Sequence, residues 1–145
     1  MAIKLDHIGL VFWKISDIAG IFRALGFREM TDPEPDPIQK VAASFVPVGD
    51  GQDVYIELLE PAEERSPVTE FLKKKGGGLH HICFEVDDIE EITERLRKRG
   101  VKMVCEPVDC VGYDRSFQRR CVHSSKIAFF LLPNKILVEF LQKGR

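Results

Sequence analysis

The first stretch of the chain has the pattern of a strand followed by a helix. Residues 3–12 are rich in β-branched and aromatic residues whose alternation predicts a strand. The apolar spacing then changes to the helical period, which predicts a helix over about 15–25. Ser16 or Asp17 is the expected N-cap, and Gly26 is well placed to end the helix.

The same pattern returns in the second half, where residues 79–86 predict a strand and residues 88–99 a helix. The two stretches can be laid together at a constant offset without a gap. The matching pairs are His7 with His81, Ile8 with Ile82, Ile15 with Ile89, Ile18 with Ile92, Phe22 with Leu96 and Gly26 with Gly100. Residues 55–59 resemble residues 137–141 in the same way, so that Glu57 and Glu139 are equivalent.

The remaining strands complete one plan in each half. They are predicted at residues 27–30, 41–48, 54–59, 101–105, 126–132 and 136–141. Three prolines in residues 31–37 predict an acidic surface loop, because proline lacks a backbone donor. Residues 49–53 predict a turn, and Ser66 and Pro67 predict the start of a connecting helix.

These elements predict an α+β fold made of two tandem βαβββ modules. The modules span about 3–61 and 78–142, and a linker with the connecting helix occupies about 62–77. A duplicated unit of this length predicts one pseudo-symmetric domain over residues 1–145 rather than a solenoid.

Composition narrows the functional classes. The chain has 145 residues, of which 44% are hydrophobic and 30% charged, as in an ordinary globular domain. Its net charge of -2 gives no reason to expect a nucleic-acid partner. No apolar run reaches the roughly 18 residues of a membrane span, and no signal peptide is evident. The four cysteines form no C-x-x-C pair, which favours a reduced, cytoplasmic protein.

Two histidines and two glutamates stand at equivalent places in the halves. If a two-fold axis relates the halves, His7, Glu57, His81 and Glu139 can converge on one point. Such nitrogen and oxygen donors suit Zn, Co, Ni, Mn or Fe(II) more than Cu(I). Each residue taken alone is more often structural. A lone acid in apolar company is costly to bury, however, and two equivalent acids beside two equivalent histidines favour a shared role.

Several stretches of the chain resemble the vicinal oxygen chelate superfamily, which contains glyoxalases and bleomycin-resistance proteins. They are Leu5-Asp6-His7-Ile8-Gly9, Ile56-Glu57-Leu58-Leu59-Glu60-Pro61, Ser66-Pro67, Phe71-Leu72, Gly78-Leu79-His80-His81-Ile82, Val86-Asp87-Asp88-Ile89 and Leu137-Val138-Glu139. The E-L-L-E-P and G-L-H-H-I stretches are most similar to the methylmalonyl-CoA epimerases. Bacterial glyoxalase I is similar in its ligand types and their order.

The resemblance implies a cup-shaped mixed sheet that holds one divalent ion, Zn, Co, Ni or Mn, through His7, Glu57, His81 and Glu139. His81 rather than His80 is the implied ligand, since only His81 matches His7. His80 is predicted to point to the opposite face, as a packing residue or a support for the ligands. A small-molecule substrate, such as an acyl-CoA or another anionic compound, and a homodimer are also implied.

The implied activity is that of a metal-dependent isomerase, epimerase or lyase. The metal would stabilise an enolate or enediolate of an acyl thioester or an α-hydroxycarbonyl compound, and Glu139 would serve as the base. Epimerases resemble one another in a second acid near the third strand, and residues 41–46 contain no acid. The nearest acids are Glu34 and Asp36, in a loop that could fold over the site.

Three alternatives remain open at this point. One is a glyoxalase I-like lyase, another is a dioxygenase relative, and the third is a binding or resistance protein without catalysis. Dioxygenases prefer two histidines and one carboxylate around Fe(II), so the fourth residue, Glu57, counts against that class. Residues 106–125 depart from the epimerases, and are either a solvated loop or a lid whose Arg115, Arg119 or Arg120 meets an anionic substrate.

Overall fold

The computed structural model describes residues 2–27, 29–51 and 53–145. It contains eight strands and four α-helices. The strands are β1 (Lys4–Val11), β2 (Glu34–Asp36), β3 (Val41–Val48), β4 (Val54–Pro61), β5 (Gly78–Glu85), β6 (Met103–Asp109), β7 (Lys126–Leu132) and β8 (Ile136–Gln142). The helices are α1 (Ser16–Leu25), α2 (Pro67–Lys75), α3 (Ile89–Lys98) and α4 (Val111–Ser116), and a 3₁₀ turn covers Pro133–Lys135.

All eight strands form one mixed sheet in the order β2-β3-β4-β1-β5-β8-β7-β6, which curls into a half-barrel. The first strands of the two halves, β1 and β5, pair antiparallel at its centre. Each also pairs in parallel with the last strand of its own half, β1 with β4 and β5 with β8. The predicted α+β fold of two βαβββ modules is therefore confirmed.

Helices α1 and α3 cover equivalent parts of the outer face of the sheet. Ile15, before α1, packs with Val46 and Leu58 in one buried cluster. Ile89 and Ile92 of α3 pack in a second cluster, together with Phe130 and Phe140 among other residues. The apolar residues that match in the repeat thus fix each helix to its own half.

A third cluster fills the inner face, where it surrounds the cavity described below. It contains Phe45 and Leu141 from the sheet, Val68 and Leu72 from α2, and Tyr113 from α4. The inner face is therefore lined by both halves, with α2 and α4 packed against it.

The second strand of the first half is not where the sequence pattern predicts it. The predicted strand at 27–30 is wrong for the residues that the structure describes there; Arg28 lies outside them. Instead β2 forms within the predicted proline loop and pairs antiparallel with β3. Proline is compatible with this position because β2 is the edge of the sheet and has only one neighbouring strand.

The N-cap predicted from the sequence is confirmed for α2 and wrong for α1. Ser66 caps α2 through its side chain, and Pro67 follows at the first helical position, as predicted. The N-cap of α1 is Ile15, not Ser16 or Asp17, and it has no side-chain cap of its own. Its backbone N–H donates to Glu60 Oε2 at 2.7 Å, so a carboxylate from β4 serves the helix start.

The stretch 106–125 contains regular secondary structure as well as loop. Its first residues extend β6, and the short helix α4 follows directly. The predicted turn at 49–53 includes Gln52, which lies outside the described residues, whereas Gly49 has a positive φ of 76°. Within the described ranges, no helix is long and apolar enough to cross a membrane.

Candidate metal centre

Four side chains meet on the inner face of the four central strands. His7 lies on β1, Glu57 on β4, His81 on β5 and Glu139 on β8. The pairing register explains why they meet, because Gly9 of β1 lies opposite both Glu57 and His81. The structure therefore brings together all four residues that the sequence repeat singled out.

The distances between the four donor atoms are short and similar. His7 Nε2 lies 2.9 Å from Glu139 Oε1 and 3.3 Å from Glu57 Oε1. His81 Nε2 lies 3.2 Å from each of the same two oxygens and 3.2 Å from His7 Nε2. Metal bonds of about 2.1 Å set adjacent donors roughly 3.0 Å apart in an octahedron and roughly 3.4 Å apart in a tetrahedron. The spacing of these atoms matches that of ligands around one ion.

The cluster is buried, and one of its oxygens has no hydrogen bond. The side chains of His7, His81 and Glu139 are 3%, 2% and 7% exposed, and that of Glu57 is 12% exposed. Glu139 Oε1 lies within ion-pair distance of both imidazoles but accepts no hydrogen bond. A buried carboxylate oxygen left this way is costly. A cation between the four donor atoms would satisfy it, so the residues present fit a metal ion.

The electrostatics of the cluster point the same way. Burial alone would raise the pKa of Glu57, but the charges and hydrogen bonds of His7 and His81 together outweigh burial and hold this pKa well below its usual value. Burial lowers the pKa of His81, yet its contacts with Glu139 and Glu57 raise the pKa above the ordinary value. The two acids thus favour positive charge at the centre, which a metal ion would also supply.

The imidazole of His7 is held from behind by the preceding residue. Asp6 Oδ2 lies 2.7 Å from His7 Nδ1, and Asp6 is only 1% exposed. Its other oxygen accepts the Tyr113 hydroxyl at 3.2 Å and lies 3.7 Å from Lys143 Nζ. A carboxylate on the far nitrogen fixes the tautomer and orientation of a ligating histidine.

Strict strand alternation would turn Asp6 away from His7, and a β-bulge changes this. In the β1–β5 ladder Leu5 pairs with Phe84 and His7 with Cys83, so that Asp6 is the extra residue. Bulges re-aim a side chain and are common next to active sites.

A second bulge does the same for His80. Gly9 pairs with His81 and Leu10 with Leu79, which leaves His80 as the extra residue of β5. Its Nδ1 lies 2.9 Å from His81 Nδ1, and its ring lines the cavity. The prediction that His80 points to the opposite face is therefore wrong. Burial and His81 lower the pKa of His80 to about 4, so that the ring is neutral at pH 7.

Gly9 makes room for His81. A Cβ atom at Gly9 would lie 2.2 Å from His81 Cε1 and 2.5 Å from its Nδ1. The imidazole therefore lies directly over the β1 backbone, and only glycine leaves the space that it occupies.

A cavity of about 390 Å³ opens above the four donor atoms. Most of its wall is apolar, with Phe45, Leu59 and Phe129 among the lining residues. The acids Glu34 and Asp36 of β2 also line it. A mostly apolar cavity with a few convergent polar groups is the usual form of a small-molecule site.

The two acids of β2 differ in their contacts. Asp36 accepts the backbone N–H groups of Ile38 and Gln39 at 3.0 and 3.2 Å and the Cys110 thiol at 3.2 Å. Asp36 is thus engaged in shaping the turn after β2. Glu34 has no hydrogen bond or ion pair with the residues described, so its carboxylate is available in the cavity.

The arginines of the stretch 106–125 do not line the cavity. Arg115 and Arg120 are exposed, and Arg119 donates to Gly144 O at 2.7 Å and lies 3.4 Å from Asp114 Oδ1. In the described part of the chain, no lysine or arginine lines the cavity wall. Contact of these arginines with the part of an anionic substrate outside the cavity stays an untested alternative.

Sequence reasoning missed Asp6 and Tyr113. One signal for Asp6 was present, because Asp6 and His80 occupy equivalent positions, each directly before a repeated histidine. No local pattern could indicate Tyr113, which reaches Asp6 across 107 positions of the chain.

Comparison with known proteins gives the family. Residues 6–118 match the model of the glyoxalase/bleomycin resistance protein/dioxygenase superfamily. An uncharacterized protein, YqjC of Bacillus subtilis (strain 168), is 34% identical over 142 residues, which are 96% of this chain and 91% of that protein. An ethylmalonyl-CoA/methylmalonyl-CoA epimerase of Cereibacter sphaeroides is 32% identical over 102 residues, which are 70% of this chain and 74% of that protein.

A solved structure agrees with these relatives. It is a single-residue variant of the Streptomyces coelicolor methylmalonyl-CoA epimerase in complex with 2-nitronate-propionyl-CoA. It superposes with a TM-score of 0.76 at 27% identity and covers 98% of each chain. The chain therefore belongs to the glyoxalase/bleomycin resistance protein/dioxygenase superfamily.

Proposed function

We propose that the protein is a divalent-metal-dependent epimerase that acts next to the carbonyl of an acyl thioester of the methylmalonyl-CoA type. The observation that carries the proposal is the cluster of His7, Glu57, His81 and Glu139, whose donor atoms surround one point at the base of a cavity. The relatives named above support the reaction class, because two of them are epimerases of malonyl-type thioesters.

In this proposal the four residues hold Zn, Co, Ni or Mn. When bound, the ion would act as a Lewis acid that polarises a substrate carbonyl and makes the adjacent C–H more acidic. The protein contributes buried donors that are already close together and a carboxylate, Asp6, behind His7. Asp6 keeps the imidazole of His7 oriented in the absence of the ion.

Epimerisation requires removal of a proton from one face of a carbon and delivery of a proton to the other face. We assign the first step to Glu139, a buried carboxylate whose other oxygen, Oε2, is not one of the atoms that meet the two histidines. Glu34 is the proposed second acid, because it reaches the same cavity from the other half of the molecule and makes no described polar contact. Glu34, on the edge strand β2, would thus take the place of the second acid that epimerases have near the third strand and that β3 lacks here.

The cavity suits a short acyl group rather than a whole coenzyme A. Its volume of about 390 Å³ and apolar wall favour a small branched acyl chain, with the remainder of the thioester outside. Since no lysine or arginine lines the wall in the described residues, a substrate carboxylate would depend on the metal for its charge partner. This feature favours a malonyl-type substrate that offers two oxygens to one ion.

The direct test is solvent exchange. The metal-loaded protein is incubated with methylmalonyl-CoA in D₂O, and deuterium at the α-carbon is measured by mass spectrometry. We expect one deuterium to enter at the α-carbon and a single starting epimer to become a mixture of both epimers. We expect no exchange with His81→Ala. The exposed His123→Ala is the matched control and should exchange normally. Absence of exchange in the metal-loaded protein would contradict the proposed reaction.

Glu34→Gln tests the second acid separately. Loss of a general acid or base typically slows a reaction by about 10²–10⁴-fold. We expect epimerisation to fall by this amount while metal content stays unchanged, because Glu34 is outside the donor cluster. Glu63→Gln, which changes an acid with a 58% exposed side chain, should leave the rate unchanged. Full epimerisation by Glu34→Gln would remove Glu34 from the mechanism.

Three further predictions accompany this proposal. We infer a homodimer, a cytoplasmic location and a single domain over residues 1–145. Sedimentation of the purified protein tests the first, and limited proteolysis tests the third.

A further inference from the structure

The contact between the two adjacent histidines of β5 has a defined chemistry. His80 Nδ1 and His81 Nδ1 are 2.9 Å apart, which is a hydrogen-bond distance. Two nitrogens at this distance share one proton, so one ring donates and the other accepts. The direction of this bond therefore fixes the tautomer of both rings.

The metal site sets the direction. Nε2 of His81 faces the other donor atoms, at 3.2 Å from both Glu57 Oε1 and Glu139 Oε1. A neutral imidazole that binds metal through Nε2 carries its proton on Nδ1. His81 must then donate, and Nδ1 of His80 must accept.

The same arrangement exists in the other half with a different chemical group. Asp6 accepts from His7 Nδ1 at 2.7 Å, and both Asp6 and His80 are the extra residues of β-bulges. Two bulges at equivalent positions in a duplicated unit, each turning a side chain toward the back of a ligand, indicate a common role.

We propose that His80 is the positioning residue of His81, an acceptor that holds the ligand ring in its metal-binding tautomer as Asp6 holds His7. The inference rests on the metal site of the proposed function and assigns a role that the proposed reaction does not require. The ring of His80 also packs against Phe71 in a T-shaped arrangement, at 5.1 Å between ring centroids. That contact orients the ring of His80 but leaves the role of Nδ1 to His81.

The tautomer has a consequence for the cavity. With Nδ1 as acceptor, the single ring proton of neutral His80 lies on Nε2. This nitrogen has no hydrogen bond in the described residues and is not among the buried unpartnered atoms, so solvent reaches it. His80 therefore offers an N–H donor at the cavity wall, whereas Asp6, 1% exposed, offers nothing there.

Three variants separate the acceptor from the rest of the ring. His80→Asn keeps an acceptor near the position of Nδ1, His80→Gln moves its amide toward the position of Nε2, and His80→Phe keeps only the ring shape. Removal of the hydrogen-bond partner of a metal-binding histidine typically lowers metal affinity by about 10–100-fold. We expect this loss for His80→Phe and His80→Gln, and wild-type affinity for His80→Asn. The exposed His123→Ala is the control and should keep wild-type affinity.

Affinity is measured by competition of Zn²⁺ or Co²⁺ with a chromophoric chelator, and ¹⁵N NMR of the Zn²⁺-loaded protein reports the tautomers. The spectrum should show an unprotonated Nδ1 and a protonated Nε2 for His80. Wild-type affinity in His80→Phe, or a protonated Nδ1 on His80, would overturn this inference alone. Failure of the wild-type protein to bind either metal would overturn the proposed metal site and this inference together.

Discussion

The two halves support their histidines with the same backbone device and different side chains. In the first half the support is Asp6, which is sealed from solvent and is itself contacted by Tyr113 and Lys143. In the second half it is His80, a neutral ring on the cavity wall. The two halves thus share the backbone repeat, while the chemistry at the bulge differs.

The difference teaches what each half contributes. A carboxylate behind a ligand raises the basicity of the imidazole, whereas a neutral ring only orients it. In the proposed metal site, the first half would therefore provide the stronger anchor for the ion. The second half would provide a ligand whose proposed support, His80, also faces the cavity.

The largest effect on metal affinity is expected at Gly9 of the first half, where the ring of His81 from the second half lies against the β1 backbone. Gly9→Ala would place a Cβ 2.2 Å from His81 Cε1 and force the ligand ring to move. Metal affinity should fall by more than the roughly 100-fold that loss of an outer partner costs. Chelator competition measures this.

Gly20→Ala is the matched control for this substitution. Gly20 lies in α1, and a Cβ there has no atom within 4 Å. It should leave metal affinity unchanged and raise stability slightly, by about 1 kcal/mol, because alanine favours helix over glycine. Equal metal affinity in the two variants would show that His81 does not need the space over β1.

The next largest effect on metal affinity is expected at Asp6, and it distinguishes Asp6 from His80 directly. Asp6→Asn replaces the charged acceptor by a neutral one and should lower metal affinity by about 10–100-fold. His80→Asn exchanges one neutral acceptor for another and should lower it little. Titration of both variants with Zn²⁺ under the same conditions makes the comparison. A similar loss in both would contradict the division between a charged anchor and a neutral support.

The smallest effect on metal affinity is expected at Tyr113, which contacts Asp6 and not a residue of the metal cluster. Burial and the charge of Asp6 raise the pKa of Tyr113, so that its hydroxyl stays protonated and donates to Asp6 at 3.2 Å. Tyr113→Phe removes one hydrogen bond to a charged group, worth about 1.5–3 kcal/mol of unfolding free energy. Lys143 remains near Asp6, so metal affinity should change only a few-fold. Urea denaturation with an unchanged unfolding free energy would show that the bond contributes nothing.

Sequence reasoning found the four clustered residues because they obey the repeat. His7 with His81 and Glu57 with Glu139 are equivalent in sequence, and the fold brings all four together. It failed at Asp6 and at the orientation of His80, because a bulge depends on how two strands pair and not on either strand alone.

Two other differences have similar causes. The pattern predicted a loop over 31–37 because prolines weaken a strand, yet an edge strand needs donors on one side only. Glu34 consequently lies in the cavity wall and not in a loop above it. The contact of α4 with Asp6 is equally invisible in local patterns, because it joins distant parts of the chain.

The most direct test of the metal centre is the metal content of the purified protein. Inductively coupled plasma mass spectrometry should find about one divalent transition-metal ion per chain after reconstitution and desalting. His81→Ala should lose the ion, and the exposed His123→Ala should retain it. Stoichiometric metal that persists in His81→Ala, or no metal in the wild-type protein, would contradict a centre formed by His7, Glu57, His81 and Glu139.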